Sequence, residues 1–250
     1  MQLSKRAFLA GGWTFGGHIA SQCLRFGSNL LMTRLLAPEV FGVMALALTF
    51  VFALTMASDL GFQQVATSSH RGADADFLGV IWTLEMIRGA GIFVIGLLIS
   101  AGLPLAASRG WLGSDSTYAH PDLPLALALI SLSALIGSTS SVKLITKARE
   151  LVVGRLILLD LGSQLAGLVC MIAWAMVSPG VMALAVGTIV AATSKSILSH
   201  VAIPGERTPV RWDSATFREI LAFGRWVFLS STLGFLVLSL DKVILGAQLD

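Results

Sequence analysis

Six polar residues near the N-terminus, Thr14, His18, Gln22, Arg25, Asn29 and Thr33, are separated by intervals of 4, 4, 3, 4 and 4. Such intervals bring all six to one face of a helix. The set holds a permanent cation, an imidazole, two amides and two hydroxyls. The chemistry open to it is binding through charge and hydrogen bonds, because no nucleophile stands beside a base. The other faces carry Phe15, Ile19, Leu24, Phe26, Leu30 and Leu31 with several glycines. A charged side chain at a bilayer centre costs at least about 2.5 kcal/mol. Such a stripe must therefore face protein or a water-filled cavity. Two arrangements satisfy it: hydrogen bonding between helices with Arg25 reaching toward an interface, or the lining of a wet cavity. The cavity is the expectation, with Arg25 nearer the outer end of its span than the midplane.

Other buried-looking charges are few. Glu85 and Arg88 are three residues apart and can pair within one helix. They are read as a neutralised pair or as cavity charge. Asp160 lies well inside an apolar run, with Ser163 and Gln164 close by. It is the best acidic candidate for a coupling site, and a salt bridge to Arg155, Arg88 or Arg25 explains it equally well. Asp59 reads as the end of a span. Lys195, among Thr193, Ser194 and Ser196, reads as a lysine whose stem snorkels. Asp241-Lys242 reads as interfacial.

No catalytic or metal-binding pattern accompanies these residues. His18, His70, His120 and His200 fall in different segments without zinc-type spacing. Neither a Gly-x-Ser-x-Gly elbow nor a Walker A loop occurs. Cys23 and Cys170 both fall in apolar stretches and read as small packing residues. No enzyme activity, cofactor or metal is expected.

The elements that must position the stripe follow from composition. The chain has 250 residues, 55% hydrophobic and 12% charged, with a mean hydropathy of +0.83. A soluble domain has roughly 25% charged residues. The apolar residues lie in runs of about 20, the length a helix needs to cross a membrane. Seven spans are expected, over 10–33, 40–61, 79–103, 123–143, 151–177, 180–203 and 226–247. Ala37-Pro38-Glu39, the polar loop from Arg109 to Pro124 with Gly113 and Asp115, and Ser178-Pro179-Gly180 separate them. Lys5-Arg6 before an apolar run resembles a signal peptide, but the run is long and no small-residue cleavage site follows, so a retained anchor is expected.

The net charge of +3 does not point to nucleic acid, because the basic residues are scattered at span ends. With the N-terminus inside, Lys5, Arg6, Arg71, Lys143, Lys147, Arg149, Arg207, Arg211, Arg218 and Arg225 are cytoplasmic. Only Arg34 and Arg109 fall outside, a clear positive-inside bias. Between the last two spans, Thr216-Phe-Arg-Glu219 has the form of a capping box. It opens either a short surface helix or a plain extension of span seven. Leu9–Gly17 echoes Leu221–Ser231, and Thr33–Glu39 echoes Asp241–Gln248 at nearly the same separation. The expected architecture is an all-α membrane protein: a six-helix lobe over 1–203, a connector with a surface helix over 204–225, and the first helix of a second, incomplete lobe over 226–250.

Three stretches carry a resemblance. Ser28–Phe50, with "TRLLAPEVFGVMALALTF", resembles the exit from span one of bacterial polysaccharide flippases, the Wzx-like members of the multidrug/oligosaccharidyl-lipid/polysaccharide exporter superfamily. Ser58–His70, "SDLGFQQVATSSH", resembles the stretch after their span two, and "FREILAFGRWVFLSS" with "LDKVILGAQL" resembles their entry to span seven. The resemblance implies a bacterial inner-membrane transporter with two six-helix lobes about a central cavity. It would pass undecaprenyl-diphosphate-linked oligosaccharide from the inner to the outer leaflet by alternating access. It implies a lipid-linked oligosaccharide and membrane lipids as partners, with polysaccharide assembly proteins or a C-terminal lobe beside them. The matching motifs are structural and transfer no binding residue. On the stripe reasoning Arg25 would meet phosphate, and Asn29, Gln22 and His18 would bond sugar hydroxyls. Two other readings stand beside this one: a cation-coupled drug exporter using Asp160, favoured by an acidic cavity, and a non-transporting assembly subunit, favoured by a sealed stripe.

Overall fold

The computed structural model describes residues 2–72, 74–110, 117–150, 153–204 and 209–248. The chain is 84% helix, with no strand among the described residues. The helices are α1 Gln2–Leu35, α2 Pro38–Ala57, α3 Phe62–Ser68, α4 Ala75–Ser108, α5 Leu123–Ser138, α6 Lys143–Arg149, α7 Val153–Val177, α8 Val181–Val201 and α9 Ser214–Gln248. Gly113, Asp115, Arg207 and the side chains of Lys5, Arg6, Asp241 and Lys242 lie outside the described residues.

Local chemistry sets the boundaries. Pro38 opens α2, where its missing N–H has no partner to lose. The Asp74 carboxylate accepts from the Asp76 amide and caps α4. Gly61, at φ 65°, supplies the left-handed residue that turns the chain from α2 into α3. Among the described residues four helices, α2, α4, α7 and α8, are long and apolar enough to cross a membrane, and α5 with α6, bent by 60°, forms either a broken fifth span or a re-entrant loop. α1, with 34 residues, has the length to span, about 51 Å at 1.5 Å per residue. The polar stripe keeps it out of that apolar set.

Two expectations change. Span four is not one straight helix over 123–143, because α5 stops at Ser138 and α6 starts at Lys143. α8 braces the break: Ser199 Oγ accepts from the Ser141 amide at 2.8 Å, and His200 Nε2 lies 2.9 Å from the Thr139 carbonyl oxygen. The capping box is also replaced. Asp213, one residue before α9, accepts from the Ala215 and Thr216 amides and from the Thr216 hydroxyl. Glu219 leaves its expected role and pairs with Arg71 at 3.1 Å. Of the two arrangements for this region the structure has the extension, since α9 runs unbroken from Ser214 to Gln248.

Packing follows small residues. α7 lies along α8, α8 along α5, and α5 against α2 and α4, while α1 lies along α7. Gly89 and Gly96 of α4 meet Ser138 and Ser131 of α5, which brings these backbones close. One apolar core joins the α1 exit to α2, α4, α5 and α8 through Met32, Val43, Ala47, Leu127 and Ala185. A second, toward the other end, joins α3, α4 and α9 through Phe62, Phe77, Ile81 and Ile220.

Candidate binding groove

α1 presents two parallel rows of residues. Gly17, Ser21, Leu24, Ser28 and Met32 form a partly or fully buried row. His18, Gln22, Arg25, Asn29 and Thr33 each follow by one position and are exposed. One residue is about 100° of helix at 3.6 residues per turn. The polar stripe therefore flanks the packed seam and is not sealed within it. The seam itself is α7: a Cβ on Gly154 would touch Trp13 at 3.1 Å, and Ile157 fills the space over Gly17. The Ser21 hydroxyl donates to Gln164 Oε1 at 3.0 Å. The partners rise together along both chains, so α1 and α7 run parallel.

Beside the seam lies a groove of about 410 Å³ that contains Thr14, His18, Ser21 and Arg25 of α1, Asp160 of α7 and Lys195 of α8. Lys195 Nζ meets Asp160 Oδ1 at 2.7 Å. Gln164 Nε2 donates to Asp160 Oδ2 at 2.7 Å. A bonded chain thus runs from α8 through α7 to α1. Asp160 takes its partner from α8, and not from Arg155, Arg88 or Arg25, the cations named for the salt-bridge alternative. The lysine read as snorkelling is an ion-pair member in the groove. Among the described residues no acid lies within salt-bridge distance of Arg25. Arg25 and Lys195 against Asp160 leave the groove one positive charge in excess.

The remaining expected residues are placed differently. Gln22 Nε2 lies 3.5 Å from His18 Nε2, and both side chains are exposed. Asn29 and Gln22 sit on the exposed row and do not line the groove. Glu85 and Arg88 are not in it either. They pair at 2.9 Å, and Arg88 also reaches Asp59 at 3.8 Å. This cluster borders a separate recess of about 540 Å³, where α2, α3, α4 and α9 meet and where Arg88 and Arg225 are the lining cations. Asp59 is more than a helix end: it is a second acid for Arg88 and accepts from the Gly61 amide at 2.9 Å. Lys195 and Asp59 were not expected at these sites. Cys23 is exposed, Cys170 is partly buried, and both are free. Among the described residues no group of three His, Cys, Asp or Glu side chains is arranged to hold a metal ion.

A family model described as polysaccharide biosynthesis protein matches residues 31–250. Asp160 and Lys195 lie inside the matched part, and Arg25 precedes it. No curated protein and no solved structure matches the chain.

Proposed function

The chain belongs to the polysaccharide biosynthesis protein family, and from that membership we propose that it moves a lipid-linked, diphosphate-bearing oligosaccharide from the inner to the outer leaflet. The α1–α7–α8 groove receives the headgroup. The observation that carries this reading is Arg25, exposed in a groove with an excess of positive charge and without a counter-ion among the described residues. A guanidinium donates two parallel hydrogen bonds to a phosphate. At 4 Å and an effective dielectric of 20, a cation is worth about 4 kcal/mol to each negative charge. His18, about two turns below, is available to a sugar hydroxyl. An inside-negative potential favours outward passage of negative charge by about 2.3 kcal/mol per charge per 100 mV.

The sign of the groove supports an anionic cargo over the cationic drug of an exporter. The exposed stripe supports a transport path over a sealed assembly subunit. Arg71, Lys143, Lys147, Arg149 and Arg211 gather at the end where α4, α7 and α9 begin. On the positive-inside rule we read that end as cytoplasmic, with the N-terminus on the cytoplasmic side of a bacterial inner membrane. The test is complementation in cells lacking this protein. Arg25→Ala abolishes surface polysaccharide at unchanged membrane level; normal polysaccharide with that variant overturns the proposal.

A further inference from the structure

Lys195 enters the groove from α8, whereas Arg25 enters it from α1, and its ammonium meets the α7 carboxylate. Simple snorkelling would send this stem toward an interface. Instead the ammonium is held at a defined point. Asp160 takes one of its hydrogen bonds, Gln164 fixes the other oxygen of Asp160, and Ser21 of α1 fixes Gln164. An ammonium has three donors. Among the described residues only one is committed, and the Lys195 side chain is 46% exposed. Asp160 holds that lysine in place in a groove that already holds Arg25.

We propose that Lys195 is a second anion-binding residue, and that Arg25 and Lys195 together make the groove select a diphosphate carrier over a monophosphate. The inference rests on the reading of the Arg25 groove as the headgroup site. Two separated cations suit two linked phosphates, whereas a single phosphate gains from only one of them. Asp160 is a positioning residue: it aims the ammonium through Oδ1 and makes no contact with the cargo.

The test uses the full chain in nanodiscs, with undecaprenyl diphosphate and undecaprenyl monophosphate as probes and undecaprenol as the neutral control. The wild type binds the diphosphate about tenfold more tightly than the monophosphate. Lys195→Gln reduces that preference below about threefold and leaves the monophosphate affinity near wild type. A merely structural loss weakens both lipids alike. Lys195→Gln strands the Asp160 charge, so the double variant Asp160→Asn with Lys195→Gln, which leaves no unpaired charge, serves as the folded control and shows the same loss. Lys195→Arg restores the preference. A wild type that binds undecaprenol as tightly as the diphosphate overturns the groove reading itself. Retained diphosphate preference in the double variant, while Arg25→Ala weakens both phospholipids, overturns only the role given to Lys195.

Discussion

Gly167 of α7 stands against Gly187 of α8 so closely that a Cβ on Gly167 would lie 2.6 Å from the Gly187 carbonyl oxygen and 2.7 Å from the Cβ of Ala191. The helices meet backbone to backbone there. Two turns away along the same antiparallel seam, Asp160 meets Lys195. The glycine contact thus sets the separation across which the groove's ion pair forms.

Gly167→Leu forces the α7 and α8 backbones apart, since no flexible side chain is available to move aside. The expected loss is about 1–3 kcal/mol, read as a lower Tm in detergent. Gly162→Ala, where nothing lies within 4 Å of the added Cβ, leaves Tm unchanged or raises it, because alanine favours helix by up to about 1 kcal/mol. Equal Tm for the two variants contradicts the backbone contact.

Gly61→Ala strains the α2–α3 turn twice. Its φ of 65° is left-handed, and an added Cβ meets both Val227 methyls at 2.7 Å. The left-handed conformation alone costs a non-glycine residue about 1–2 kcal/mol. Val227→Ala in the same chain removes both methyls, leaving only its Cβ at 2.9 Å from the added one, and leaves the backbone strain. The double variant is expected to unfold at a temperature between Gly61→Ala and the wild type; a double variant no more stable than Gly61→Ala removes the contact.

Arg88 holds two acids, Glu85 at 2.9 Å and Asp59 at 3.8 Å, all three with side chains only 21–25% exposed. Arg88→Leu leaves two carboxylates beside one another without a cation and lowers stability by about 1–3 kcal/mol, seen as less protein in the membrane. Transport per molecule remains near wild type, because the cluster lies outside the Arg25 groove. A transport defect at normal protein level assigns this cluster to the transport mechanism.

Asp213 links stability to pH. Hydrogen bonds from the Thr216 hydroxyl, and then from the Thr216 and Ala215 amides, hold its carboxyl below the usual carboxylate range. Protonation thus favours the unfolded cap. The stabilisation is present above the ordinary carboxylate pKa and is lost as pH falls through the lower folded value. Hydrogen exchange at the first turn of α9 speeds up as the pH is lowered through the acid range, and Asp213→Asn flattens that dependence. An unchanged profile in Asp213→Asn assigns the acid sensitivity elsewhere.

Helices were legible in the sequence wherever apolar runs met strong breakers. Pro38 and the Ser178-Pro179-Gly180 turn mark real boundaries. The stripe on α1 was legible from its spacing, and His18, Gln22, Arg25, Asn29 and Thr33 are exposed beside the α7 seam. What spacing could not provide was phase between helices. Ser21 and Arg25 differ little in sequence position, yet one lies in the α7 seam and the other beside it. The partner of Asp160 was hidden for the same reason: Arg155, Arg88 and Arg25 were the cations the sequence offered, and only the α7–α8 register selects Lys195. The α5 break was hidden because Thr139, Ser140 and Ser141 are tolerated in a helix, and only the hydrogen bonds from α8 reveal that their backbone groups are used elsewhere.

The wet, cationic groove beside Arg25 is tested most directly by thiol accessibility. Arg25→Cys and Phe26→Cys are placed singly in a chain carrying Cys23→Ser and Cys170→Ser, and treated in membranes with a water-soluble, membrane-impermeant maleimide. Phe26, 72% exposed and about 100° around the helix, is expected to face lipid. The account predicts rapid labelling at position 25 and slow labelling at position 26. Slow labelling at both positions, or equal labelling at the two, contradicts it.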